Sequence, residues 1–249
     1  MRKSLWGRIL AAAAMGAVLM ATPASALLVQ PVYLDMRATG VRSNAGLRVV
    51  NDRNRPVSVE VTVNTLDLPE RGAPVYTPVE GEDFLIFPAV ANIPPNGTQI
   101  FRVRWIGDPG LAESKMFALT TSELPLESEA EGRASLQLLY AIQTIVGIGP
   151  ANGRADIEAV SAERGTNDAG VAGVRVLFRN EGNLHGQVNA ATITVRSGDW
   201  SRDFEPGEVA NAVGLGLVPS NGQRWMFLPA DNVPATGDLT VTADVPRRP

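Results

Sequence analysis

Between Ala134 and Pro150 the chain reads ASLQLLYAIQTIVGIGP, and alternate positions carry Leu136, Leu138, Tyr140, Ile142, Thr144, Val146 and Ile148. The intervening set, Ser135, Gln137, Leu139, Ala141, Gln143, Ile145 and Gly147, is mixed in polarity. Successive side chains of a strand point to opposite faces, so this spacing predicts one long strand with a nearly unbroken apolar stripe. At ~3.3 Å per residue it would run about 45–50 Å before Pro150 stops it. Periodicity leaves open whether that stripe covers the protein's own interior or that of another chain.

The remainder has the same character. Short alternating runs, such as Val57, Val59, Val61 and Val63 separated by Ser58, Glu60 and Thr62, recur between clusters of Gly, Pro, Asn and Asp. Others lie at Ile100–Trp105, Val174–Phe178, Ala191–Val195 and Leu239–Ala243. No long 3.6-residue period interrupts them, so the chain is expected to be all-β. Asp67–Gly81, rich in Pro, Gly and charge, predicts a loop or a weak edge strand. Leu124–Gly132, with Glu127, Glu129 and Glu131, predicts a solvated loop.

The first 26 residues are read as a signal peptide: Arg2, Lys3 and Arg8 precede the apolar run Ile9–Ala21, and Ala24-Ser25-Ala26 fits a small-x-small cleavage site. Its removal leaves 223 residues starting at Leu27 and moves the formal charge from −4 to −7. So acidic a chain lacks the basic footprint of a nucleic-acid binder. Nothing after residue 26 is long and apolar enough to insert as a membrane helix. With no cysteine in the chain, stability has to come from packed cores rather than cross-links.

A faint internal repeat divides the mature chain. Leu47-Arg48-Val49-Val50-Asn51 and Val176-Leu177-Phe178-Arg179-Asn180 each run a strand into an Asn turn. Downstream, Pro95-Asn96-Gly97 leads to Phe101, Val103 and Trp105, and Pro219-Ser220-Asn221-Gly222 leads to Trp225 and Phe227. Two copies of one strand–turn order predict two β-sandwich domains, residues 27–150 and 151–249, joined at Gly149–Gly153. One larger sandwich is the competing arrangement.

Catalytic inventories come up short. The single histidine, His185, sits in Asn183-Leu184-His185-Gly186 and reads as a turn or surface residue, with no Gly-x-Ser-x-Gly elbow elsewhere. One histidine without cysteine does not build the usual zinc or copper sets, and the loop glutamates lack a calcium-loop spacing. Gly147-Ile148-Gly149 precedes a proline rather than a helix, so it is no dinucleotide fingerprint. The chain is read as a non-enzyme with no cofactor and no metal.

The residues Phe84-Leu-Ile-Phe-Pro88, Ile93-Pro-Pro-Asn-Gly97, Gln99-Ile-Phe-Arg102, Trp105-Ile-Gly-Asp-Pro109, Glu113-Ser114, Phe117-Ala-Leu119 and Glu123-Leu-Pro125 resemble the periplasmic chaperones of the chaperone–usher pilus pathway, in its archaic or spore-coat-type branch. Arg179-Asn180-Glu-Gly-Asn183-Leu-His185 extends the resemblance more loosely into the second half. It implies two immunoglobulin-like domains set at an angle, located in the periplasm. It also implies donor-strand complementation: residues about 134–148 are lent to a pilus-type subunit, which an outer-membrane usher then receives. The subunit-binding positions implied are Leu136, Leu138, Tyr140 and Ile142. At ~1.5–3 kcal/mol per buried large side chain, that stripe would contribute of order 6–12 kcal/mol before association costs. The resemblance also implies an arginine and a lysine anchoring the subunit's terminal carboxylate. Arg37 is the candidate arginine, Arg154 a weaker one; the lysine position falls near Ile145, and the only lysine after residue 26 is Lys115. The alternative is an exported two-domain structural or adhesion module without a pilin client. A hydrolytic or carbohydrate-active β-sandwich would need a carboxylate pair or histidine site that the residues do not supply.

Overall fold

The computed structural model describes residues 27–79, 83–125 and 139–246. The signal-peptide residues, the glutamate loop and the positions Leu136 and Leu138 lie outside the described residues. The first half runs β1 (Leu27–Gln30), β2 (Tyr33–Arg37), β3 (Asn44–Asn51), β4 (Val57–Asp67), β5 (Val75–Pro78), β6 (Phe84–Phe87), β7 (Val90–Ile93), β8 (Thr98–Trp105), β9 (Lys115–Glu123) and β10 (Ala141–Gly149). The second runs β11 (Ile157–Thr166), β12 (Ala172–Asn180), β13 (Gly186–Gln187), β14 (Thr192–Ser197), β15 (Trp200–Phe204), α1 (Pro206–Val213), β16 (Leu217–Val218), β17 (Gly222–Pro229) and β18 (Thr240–Asp244).

In the first half, sheet β1-β3-β8-β6 faces sheet β2-β10-β9-β4-β5, with β7 beside β4. The alternating positions close between them a core of Leu47, Val49, Val57, Val59, Phe101, Val103, Leu119, Val146 and Ile148. The second half closes a separate core of Val174, Val176, Phe178, Ile193, Val195, Phe204 and Leu228. Two cores built by two sets of sheets make the fold two immunoglobulin-like sandwiches, as the alternation predicts. Helix α1 starts at Pro206 behind a capping box in which Glu205 and Glu208 each take the other's backbone N–H.

The internal repeat is a pair of buried clamps. Asn51 donates Nδ2 to the carbonyls of Arg55 (2.8 Å), Ile93 (3.1 Å) and Pro94 (3.0 Å) and accepts from Arg53 N through Oδ1. Asn180 donates to Leu184 O (2.8 Å) and Pro219 O (3.0 Å) and accepts from Asp156 N and Gly182 N. Each side chain ties the loop after its own strand to the proline before the matching Asn-Gly turn. Asn96 and Asn221, in those turns, take the positive φ (54° and 47°) that asparagine tolerates.

The predicted edge strand near Asp67–Gly81 is β5, at the end of its sheet. The loop before it does more than turn. Glu70 O accepts Trp225 N of β17 (2.8 Å), its carboxylate takes Gln223 Nε2 (2.7 Å) and Trp225 Nε1 (3.1 Å), and Arg71 pairs bidentately with Glu163 while stacking on the Trp225 ring. This strap joins the two sandwiches over an apolar seam of Leu66, Leu68, Met116 and Leu217, with Ile145 packed against it.

Candidate functional site

β10 begins at Ala141, later than the Ala134 start that alternation predicts; Leu139 and Tyr140 precede it outside the ladder. Along one flank β10 pairs antiparallel with β9 over its described length, from Ala141↔Ser122 to Ile148↔Lys115. Along the other it pairs in parallel with β2, but only from Ile145↔Tyr33 to Gly149↔Arg37. The bonds Glu123 N→Tyr140 O and Ile145 N→Val32 O fix the alternation: even residues bond β9, odd residues face the β2 side. Ala141 and Gln143 therefore turn their backbone groups toward a flank that no strand among the described residues occupies.

The apolar stripe changes owner along the strand. Thr144, Val146 and Ile148 are sealed in the protein's own core, so the carboxy-terminal part of the expected lent segment is fixed at home. Ile142 is partly buried against that core. Tyr140 is 45% exposed. The transition has a visible cause: beneath Tyr140 the sandwich is closed by a buried ion pair, Arg53 Nη1 to Glu123 Oε1 at 2.7 Å, which Arg55 joins at 3.2 Å.

At the other end of β10 the two sandwiches meet around His185. It lies in the turn between β12 and β13, as its sequence reads, but is only 4% exposed, which corrects the surface alternative. Nε2 pairs with the Tyr33 hydroxyl at 2.6 Å, the backbone N–H donates to Ser114 Oγ, and Asp35 Oδ1 lies 3.9 Å away. Burial pushes the imidazole pKa down to about 4; Asp35 works against that shift and Arg37 with it. Its ring lies on Gly147, and Leu184 lies on Gly149, where side chains would overlap them. The Gly-Ile-Gly pattern is thus a seat for the second sandwich. Gly147→Ala is expected to lower stability by about 1–3 kcal/mol in urea unfolding. Gly46→Ala, whose new carbon would meet nothing nearer than Ile100 Cγ2 at 3.6 Å, should be close to neutral.

A cleft of about 680 Å³ opens beside this contact, lined by Tyr33, Asp35, Arg37, Arg154, His185 and Asp244 among others. Arg37 is buried there. Its Nη1 donates to Asp35 Oδ1 (2.6 Å) and Met36 O (3.1 Å), and Asp35 also pairs with Arg42. An incoming carboxylate would share this guanidinium with Asp35 and use its remaining N–H groups. Ile145, at the expected lysine position, packs into the apolar seam instead.

The outer face of β1-β3-β8-β6 carries a second exposed surface. Leu85, Phe87 and Ile100 lie among Arg48, Arg102 and Arg104, with Phe87 opposite Arg102, Leu85 opposite Arg104 and Ile100 opposite Arg48. Phe87 is 69% exposed, and none of these three arginines forms an ion pair among the described residues. Together they set exposed apolar and basic side chains side by side on that sheet face. Among the described residues no cluster of His, Asp and Glu could hold a metal ion, and no helix is long and apolar enough to cross a membrane.

No protein-family model matches the chain, and no curated protein matches it in sequence. Solved structures do match in fold. The class 5 fimbriae chaperone CfaA aligns over 89% of this chain and 100% of its own at 9% identity, with a TM-score of 0.52. A chain of the chaperone–tip adhesin complex of CFA/I fimbriae biogenesis aligns over 89% and 100% at 7% identity, TM-score 0.53. One from the Salmonella enterica complex of the SafA pilin with the SafB chaperone aligns over 90% and 98% at 16% identity, TM-score 0.52. The protein shares the two-sandwich fold of these fimbrial chaperones.

Proposed function

We propose that this protein is a periplasmic, non-enzymatic chaperone that binds a pilus-type subunit by lending it the segment that enters β10. It then delivers that subunit to an outer-membrane usher. The working parts are a sandwich of residues 27–150 that lends the strand and one of residues 151–249 that forms the far wall of the cleft. The observation that carries the reading is the half-open edge of β10: Ala141 and Gln143 have no strand on their second flank among the described residues, and Tyr140 stands exposed where the described core ends. A strand with one free flank and an apolar face beyond its own core is an aggregation hazard unless a partner uses it. An incomplete sandwich that needs one strand and one row of apolar side chains is such a partner. Leu136, Leu138 and Tyr140 supply the row, with Ile142 at the boundary. Arg37 holds the subunit's terminal carboxylate, and the Phe87 face receives the usher while the lent strand is occupied.

Co-expression with a pilin-like subunit encoded beside this gene, followed by affinity co-purification, tests all three assignments. Leu138→Glu should keep the thermal melt of the parent and lower subunit recovery by about tenfold or more, since a charge would enter an apolar groove. Arg37→Ala should weaken recovery, and Phe87→Asp should leave it intact while reducing retention on the usher's periplasmic portion. Unfolding of Leu138→Glu, or full recovery of the subunit with it, would overturn the reading.

A further inference from the structure

We infer that Arg53 and Glu123 are a register lock for β10: they hold the Tyr140 ring in place and thereby decide which alternate side chains the strand presents. The significance for a client rests on the strand-lending reading; the lock itself does not.

A strand with one free flank is held in register by few partners, and a slip of one residue exchanges its two faces. Here a slip would replace the set Leu136, Leu138, Tyr140, Ile142 by Ser135, Gln137, Leu139, Ala141, a poorer filling for any apolar groove. β2 fixes the register only from Ile145 onward. At the other end the β9 ladder runs on to Ala141, Thr144 Oγ1 donates to Pro31 O, and three linked contacts at position 140 fasten the end of the strand. Glu123 N donates to Tyr140 O at 2.8 Å, Glu123 binds Arg53, and the Arg53 guanidinium lies 5.1 Å from the centre of the Tyr140 ring. That distance is within the range of a cation–π contact. Arg53 is itself immobilised, its N–H donating to Asn51 Oδ1 and its carbonyl accepting from Asn96 N. The clamp thus runs from a buried asparagine through a buried ion pair to the half-exposed ring. A buried pair contributes little net stability against an apolar replacement, so fixing one geometry is its better-attested use.

The absence of cysteine allows a direct test. Ala141 and Ser122 are cross-strand partners, whereas Ala141 and Thr121 point to opposite faces and oppose each other only after a one-residue slip. In the parent, Ala141→Cys with Ser122→Cys should oxidise to a cross-link and Ala141→Cys with Thr121→Cys should not. Adding Arg53→Met and Glu123→Met together, which removes the clamp without stranding a buried charge, should raise the 141–121 cross-link about threefold to thirtyfold, as loss of a cation–π contact implies. Tyr140→Leu, which leaves the ion pair intact, should raise it similarly, and Tyr140→Phe should not. If neither the double variant nor Tyr140→Leu yields the 141–121 cross-link, the lock is refuted. Subunit capture by the parent is measured separately, so failure of the chaperone reading is told apart from failure of the lock.

Discussion

Asn51→Ala is expected to destabilise the protein by about 3–6 kcal/mol, enough to leave much of it unfolded. The side chain is fully buried, and its loss strands three carbonyls, those of Arg55, Ile93 and Pro94, together with the Arg53 N–H. Each buried polar group left without a partner costs about 1–3 kcal/mol, and partial rehydration of the loop keeps the total below the simple sum. Asn180→Ala should cost a similar amount in the second sandwich, where it strands Leu184 O and Pro219 O and the N–H groups of Asp156 and Gly182. The exposed Asn44→Ala should stay within about 0.5 kcal/mol of the parent. Urea titrations of the three variants check this, and a loss below about 1 kcal/mol for either buried asparagine would refute the clamp.

Acidification should weaken the protein well before its carboxylates protonate. In the folded state the His185 pKa sits at about 4, against an ordinary 6.5 that the unfolded chain regains. Between those values the unfolded state binds the extra proton, so stability rises with pH there. The contribution is complete above about pH 6.5, falls through the window from 6.5 to 4 and is flat below it. Some 2.5 pH units at about 1.36 kcal/mol each correspond to roughly 3 kcal/mol. Glu163 and Glu208, whose carboxyls are held below the usual range chiefly by hydrogen bonds, lose their effect only at lower pH. Unfolding midpoints between pH 7.5 and 4.5 should therefore report mainly His185. His185→Gln should flatten the profile, and an unchanged slope in that variant would refute the assignment.

Much of the fold was legible because strand alternation is local. The valines of β4 and the Asn-Gly turns stand where their spacing puts them, and the paired asparagines announced the repeat. The site was legible in position more than in orientation. Alternation placed Tyr140 and Ile142 on one face, but only the third dimension assigns Thr144 and Val146 to the home core, sets Ile142 at its boundary and leaves Tyr140 exposed. The burial of His185 and the seat that Gly147 and Gly149 provide were not legible in the sequence, because they come from contacts between residues of the two halves, and no period in either half records them. The same holds for Glu70 and Arg71. Their stretch reads as a loop or a weak edge strand, and its partners, Glu163 and Trp225, come from the other half of the chain.

The unequal flanking of β10 also has a mechanical side. From Ile145 to Gly149 the strand is gripped by a strand on each side, while among the described residues Ala141–Gln143 are paired with β9 alone. A pull along its length loads both ladders at the root in shear, whereas a sideways tug at the tip breaks hydrogen bonds one at a time. The tip can peel away without disturbing the root, much as a tongue of veneer lifts from a glued board.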